Sequence, residues 1–265
     1  MTMEEPGTVY FTGTAGAGKT SLVRAFADWM RSSGYDAAVV NLDPGSETTS
    51  LEPAVDIREW VRLDDLQDEY GLGPNGAQVA AADMIALKIF DVKQAIEQED
   101  ADYVLIDTPG QIELFAFREA SKAIVDALSG DRSLIAFLFD PALARTAAGF
   151  VSLLMLSATV EFRFRLPMLN VLAKSDVLTP EQLSELATWA EDPSRLYDAV
   201  TRDAPTPDVQ LSTELFRAIE TMGPLAGLVP TSAKDATGLD ALYQGCQRVF
   251  GGGEDLEPSH APRTE

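Results

Sequence analysis

Gly13-Thr14-Ala15-Gly16-Ala17-Gly18-Lys19-Thr20 is the stretch whose reading decides the fold. It follows the apolar run Thr8-Val9-Tyr10-Phe11 and precedes a helical pattern from Ser21 to Arg31, so it lies where a strand turns into a helix. In that setting the GxxxxGK[ST] spacing predicts a phosphate-binding loop. Gly13, Gly16 and Gly18 let the backbone curl so that successive N–H groups face one anion, and the N-terminus of the following helix adds its positive dipole end. Contacts are expected from Gly13, Ala15, Gly16, Ala17, Gly18 and Ser21. Lys19 is expected to reach the β- and γ-phosphates of a nucleotide, with the Thr20 hydroxyl on Mg²⁺. A glycine-rich turn with a solvated lysine would need neither the full spacing nor these flanking elements.

With 265 residues, 46% of them hydrophobic, the chain can bury a sizeable core in one large α/β domain or two small ones. No stretch approaches the roughly 18 consecutive apolar residues of a membrane span. The most apolar segment, 147–164, is interrupted by Ser152, Ser157, Thr159, Glu161 and Arg163 and reads as a buried helix. The start Met1-Thr2-Met3-Glu4-Glu5-Pro6 lacks the pattern of a signal peptide, so a cytoplasmic location away from membranes is expected. One cysteine, Cys246, and one histidine, His260, exclude a disulfide framework and a Cys/His metal centre within one chain. Cys246 lies in a helical pattern and reads as a small core residue.

The net charge of −22 repels nucleic acid and anionic membrane, and it opposes binding of a triphosphate unless cations screen it. Acidic residues are spread along the chain, and the lysines are only Lys19, Lys88, Lys93, Lys122, Lys174 and Lys234. So even a bias fits adaptation to a salty cytoplasm (a halophilic protein) better than an acidic docking patch; a merely acidic soluble protein is the other reading.

After the first helix, the apolar run Ala37 to Leu42 ends at Asp43-Pro44-Gly45. A strand reached through one helical crossover lies parallel to the first, so Asp43 is expected beside the phosphates and near the metal. Residues 46–69 are polar, broken by Pro53, and read as a mobile switch with short helices. Tyr70-Gly71-Leu72-Gly73-Pro74-Asn75-Gly76-Ala77 reads as a tight loop presenting Asn75 at its tip before a helix over 78–99. The strand Tyr103 to Ile106 ends in Asp107-Thr108-Pro109-Gly110-Gln111. This is a DxxG arrangement: an acid reaching Mg²⁺ through water, a glycine N–H meeting the γ-phosphate, and then Gln111 placed to orient an attacking water.

A helix over 113–128 is expected next, then a strand over 134–139, the helix of 147–164 and a strand over 168–172. Ala173-Lys174-Ser175-Asp176 follows and looks like an NKxD element with its first residue replaced. The Asp176 carboxylate can accept two hydrogen bonds that guanine offers and adenine does not, and the Lys174 stem can lie across the base or ribose. Ala173 has no amide to meet the purine or to tie back to the phosphate loop. Thr179-Pro180-Glu181-Gln182 reads as a helix start. Residues 192–208 read as a surface excursion, followed by a helix over 212–221. Leu228-Val229-Pro230 then runs into Thr231-Ser232-Ala233-Lys234, which matches the SAK loop of GTPases, so Ser232, Ala233 and Lys234 join the base site. A last helix over 239–250 leaves a polar tail, 251–265, that reads as disordered.

With Gly73-Pro74-Asn75 between Asp43 and Asp107, this order of motifs resembles the GPN-loop GTPases over about residues 6–250. The resemblance implies one domain over 1–250 with inserted helices. It implies a P-loop NTPase three-layer α/β sandwich on a mostly parallel sheet, in the signal-recognition and MinD-like branch. It further implies GTP/GDP and Mg²⁺ as ligands and a homodimer joined around the GPN loop. In such a dimer Gly73, Pro74 and Asn75 of one subunit would meet the other subunit's nucleotide, Asn75 facing its γ-phosphate, while Asp43 and Gln111 place the water. A protein cargo such as RNA polymerase is implied for the family's eukaryotic members. Two other readings stay open: a MinD-type ATPase or a kinase of small hydroxyl substrates, and an assembly scaffold that turns over negligibly. Delivery of nickel or iron is disfavoured by the shortage of Cys and His.

Overall fold

A computed structural model describes residues 5–46, 52–203 and 227–251. Its strands are β1 (Gly7–Gly13), β2 (Ala37–Asn41), β3 (Val55–Asp56), β4 (Tyr103–Asp107), β5 (Ser133–Phe139), β6 (Met168–Leu172) and β7 (Leu228–Pro230). They form one sheet in the order β3-β2-β4-β1-β5-β6-β7, and every pairing is parallel. Central strands without polar alternation are what a sheet covered on both faces requires. Accordingly all seven residues of β1 and of β5 are buried.

Helices cover both faces. On one side α1 (Lys19–Ser32) and α10 (Leu239–Phe250) pack Leu22, Phe26, Met30, Leu242 and Cys246 against Phe11, Leu105 and Val171. The opposite layer includes α3 (Pro74–Glu97), α5 (Glu119–Leu128), α7 (Ala147–Phe164), α8 (Pro180–Glu191) and α9 (Pro193–Asp203). The expected three-layer sandwich is therefore observed. Cys246 is buried in the first layer, where desolvation pushes its thiol up to about 12.

Register decides what meets at the carboxyl edge. Phe11 and Asn41 both pair with Asp107, Phe139 pairs with Leu172, and Leu172 pairs with Pro230. Residues at or just past these ends, namely Asp43, Asp107, Asp140, Ala173 and Thr231, therefore share one edge. β2 is parallel as expected, though β4 separates it from β1.

Several boundaries differ from the sequence reading. The GPN tripeptide opens a helix instead of forming a loop tip: Gly73 is the N-cap of α3, Pro74 is its first residue, and Asn75 stands exposed on the first turn. Proline at that position has no N–H to lose and a φ already helical, so the helix starts earlier than the apolar pattern suggests. The expected single helix over 113–128 is two, α4 (Ile112–Ala116) and α5, and the expected excursion at 192 is α9 after a turn at Asp192. Within 46–70, residues 52–70 contain β3, a 3₁₀ turn Ile57–Glu59 and α2 (Leu63–Tyr70). The helix expected over 212–221 and the tail from 252 lie outside the described residues.

By length and composition α7 could cross a membrane, with mean hydropathy 1.4 over 18 residues. One side of it, carrying Phe150, Leu153, Val160 and Phe164, is packed into the core, while Phe162 is exposed. Phe139 joins that packing to the sheet, its ring 5.7 Å from Phe137 and 5.5 Å from Phe150. Phe139→Ala should cost about 3–5 kcal/mol in denaturant unfolding at high KCl. A loss below about 1 kcal/mol would mean that this layer closes over the gap.

Candidate active site

The phosphate loop owes its shape to its glycines. Gly16 and Gly18 have φ of 76° and 96°, and Gly18 is the left-handed N-cap from which α1 begins at Lys19. A Cβ at Gly13, whose φ is 155°, would come within 2.9 Å of the Leu138 carbonyl oxygen, so the loop hugs β5 closely. Ala17 is buried, whereas Ala15 and Ser21 are exposed.

Lys19 is 6% exposed and donates to the carbonyls of Gly13 (3.1 Å), Thr14 (3.1 Å) and Gly110 (2.9 Å). Burial lowers its pKa, and the charges of Asp107 and Asp43 oppose that shift. Thr20 donates from Oγ1 to Asp107 Oδ2 at 2.6 Å. Asp107 is 1% exposed and its second oxygen, Oδ1, has no partner among the described residues. Desolvation raises its pKa to about 7; the Thr20 hydrogen bond and Lys19 resist this and the Asp43 charge adds to it.

Asp43 closes the other side, accepting from the Gly110 N–H through Oδ2 and from the Gly45 N–H through Oδ1, both at 2.9 Å. Gly110 is thus gripped twice, by its carbonyl at Lys19 and by its N–H at Asp43. A pocket of about 80 Å³ lies between Asp43, Gly110, Gln111 and Gln78. That is room for a few waters. Hard oxygens with one buried and unpaired carboxylate oxygen are the donor set that suits Mg²⁺, so Thr20, Asp107 and Asp43 fit that ion.

The residues expected to read the base lie at the same edge. Asp176 Oδ1 accepts from the buried Ser232 hydroxyl at 3.0 Å, and Lys234 Nζ stands 3.9 Å from Oδ2. Ala233 lies between those two residues in the turn. Ser175 and Thr231 join the two loops through a backbone hydrogen bond of 2.9 Å. Ala173 is buried and its N–H donates to Phe139. The Lys174 ammonium reaches back and donates to the Gly16 carbonyl of the phosphate loop, which leaves its stem running along the edge where a base is expected. Gly73, Pro74 and Asn75 are exposed and stand apart from this cluster, and the Asn75 side chain has no hydrogen-bond partner among the described residues. From α3, Gln78, three residues on, lines the pocket beside Asp43 together with Ala82 and Ile85.

Sequence reasoning missed the support behind Asp43. Asn41 Nδ2 donates to the Asp43 carbonyl, to Ser46 Oγ and to Asp56 Oδ1, while Asn41 Oδ1 accepts from the Asp43 N–H. Asp56 is also ion-paired with Arg58, whose hydrogen bonds hold the carboxyl below its usual range despite desolvation. A polar Asn ending an apolar strand was the available signal.

A carboxyl-edge phosphate loop with a DxxG strand beside it defines a P-loop nucleotide-binding protein. The family described as "Conserved hypothetical ATP binding protein" matches residues 11–251. GPN-loop GTPase PAB0955 of Pyrococcus abyssi is 33% identical over 186 residues, covering 69% of this chain and 73% of the relative. Its apo crystal structure, described as that of a GTPase, superposes with a TM-score of 0.81 over 92% of this chain and 97% of that one. GPN-loop GTPase 3 of Eremothecium gossypii is 28% identical over 255 residues, 94% of each chain. Against GPN-loop GTPase 1 of Dictyostelium discoideum, 26% identical, this chain spans 61% of the relative's length. The chain belongs to the GPN-loop GTPase family of P-loop proteins.

Asp107 yields a pH prediction. Its folded pKa of about 7 lies above its unfolded value of 3.8, so the favourable protonated form is fully present below the lower value and lost as pH rises toward the upper one. In metal-free protein, Asp107→Asn should gain on wild type in unfolding free energy from pH 5 to 7.5 and level off above, by on the order of 2–4 kcal/mol. A difference constant with pH would refute the shift.

Proposed function

We propose that this chain binds Mg²⁺·GTP and hydrolyses it to GDP and phosphate as a switch within a homodimer. The observation that carries the reading is the placement of Asp176, held by Ser232, on the same sheet edge as Lys19, Thr20 and Asp107. A purine read by Asp176 would extend its phosphates toward α1. The family description speaks of ATP and the relatives' names of GTP; a carboxylate facing the base supports guanine, whose N1–H and exocyclic amine both donate.

Backbone N–H groups of the phosphate loop and the Lys19 ammonium bind the phosphates, for which Lys19 exchanges its carbonyl partners for anionic oxygens. Thr20, Asp107 and Asp43 would hold magnesium, which supplies charge neutralisation at the phosphate oxygens when bound. Asp43 and Gln111 flank the space in which a water can face the γ-phosphorus, orienting it as its oxygen bonds there and the bond to the β-phosphate oxygen breaks. The Gly110 N–H, now on Asp43, is the donor that a DxxG strand end offers to a γ-phosphate, so nucleotide binding would redistribute its bonds.

Dimerisation is supported by the apolar surface on the helix that carries Asn75. Val79, Leu87 and Phe90 follow one another along an exposed side of α3, the last two 80% and 76% exposed, with Tyr70 close by in sequence. Joined there, two subunits would bring each Asn75 to the partner's phosphates, where its amide donates in trans. By extension from the family, the switch would serve assembly of a larger complex such as RNA polymerase, in a cytoplasm whose salt screens the chain's charge.

Phosphate release by wild type, Lys19→Ala and Asn75→Ala at high KCl, with light scattering on the same samples, tests this. Lys19→Ala should lose about 100-fold or more, and Asn75→Ala about 10- to 100-fold with the dimer mass intact. A monomeric wild type, or an Asn75→Ala that turns over normally, would remove the trans role. Asp176→Asn should erase the preference for GTP over ATP; an unchanged preference would sink guanine recognition.

A further inference from the structure

The base-reading element begins with Ala173, which cannot tie it to the phosphate loop, yet the two are tied. Lys174 has φ of 51°, in the left-handed region, where a side chain with a Cβ rarely settles. From that backbone its ammonium donates to the Gly16 carbonyl and to Asp140 Oδ2, the latter at 3.3 Å. The stem crosses Gly18 so closely that a Cβ there would lie 3.3 Å from Lys174 Cε. Asp140 stands just past β5, and its other oxygen, Oδ1, accepts from the Ala142 N–H at 2.8 Å, which fixes the carboxylate in place. Its side chain is 15% exposed against 41% for Lys174, so solvent screens the pair only in part.

We infer that Asp140 is a positioning residue for nucleotide recognition: acting through Lys174, it locks the phosphate loop to the base-reading loop. This rests on the guanine-nucleotide reading above. An ammonium drawn only toward Gly16 would be free to swing into solvent along its flexible stem. With Asp140 behind it, the same ammonium is held between two fixed acceptors. The base contact at Asp176 and the phosphate contacts at Gly16 and Gly18 then belong to one rigid frame. The pair also sets a cation against the phosphate loop in a chain with a net charge of −22, where positive charge is scarce.

The test is binding of fluorescent GDP and ADP analogues to full-length wild type, Asp140→Asn, Lys174→Met, the double variant and Asp140→Glu, in Mg²⁺ and high KCl. Asparagine keeps the oxygen that caps Ala142 and removes the charge, so folding should survive; the nucleotide-free thermal midpoint monitors this. Asp140→Asn and Lys174→Met should each weaken GDP about 10-fold through faster release, and narrow the GDP-over-ADP ratio. The double variant should lose no more than the worse single one, and Asp140→Glu should recover to within about 3-fold of wild type. Additive losses, or Asp140→Asn matching wild type in affinity and ratio, would overturn the inference alone. A wild type that does not prefer GDP would overturn the guanine reading instead. A lowered midpoint with an unchanged ratio would mean that Asp140 only supports the fold.

Discussion

A carboxylate taken almost wholly out of water, bonded through one oxygen to Thr20 and unpaired at the other, is the constraint around which this sheet edge is arranged. Such a charge is costly unless a cation meets it. Lys19 lies close enough to offset part of that cost, but its ammonium is occupied by three backbone carbonyls. Asp43, a second carboxylate, adds to the unfavourable side. Two carboxylates so placed are the charge that a divalent cation carrying a polyphosphate would offset. The all-parallel sheet is what makes this possible, since it delivers β1, β2 and β4 to one edge in register.

Much of this was legible beforehand because the decisive signals are local. The glycine spacing before Lys19, the apolar run before Asp107, and the ends of β6, α7 and α10 all read correctly from adjacent residues. What failed to read depends on distant partners. Strand β3 is two residues long and exists because Val55 and Asp56 find Val40 and Asn41, a pairing with no periodicity of its own. The start of α3 does not read from local sequence because Gly and Pro serve equally as loop punctuation and, for proline, as a first helical residue. The network of Asn41, Asp56 and Arg58 joins residues that only the sheet brings together.

Helix α3 links the site to the outside of the molecule. Its buried stripe of Ala77, Ala81, Ile85, Ile89 and Val92 fixes it to the core, and Gln78 looks into the pocket with Asp43. On its other faces it carries Asn75 and the apolar residues Leu87 and Phe90 into solvent. The 24-residue element thus joins Gln78, at the pocket, to the exposed residues Leu87 and Phe90.

The lone thiol has a practical consequence. Cys246 is the chain's single cysteine, sealed on the inner face of α10 and with its ionisation suppressed, so it will be a sluggish target for maleimide or methanethiosulfonate reagents. The native sequence is thus already a quiet background for spectroscopic probes: a cysteine introduced on the outer face of α3 would carry a spin label or fluorophore at one defined position without first stripping the protein of its own.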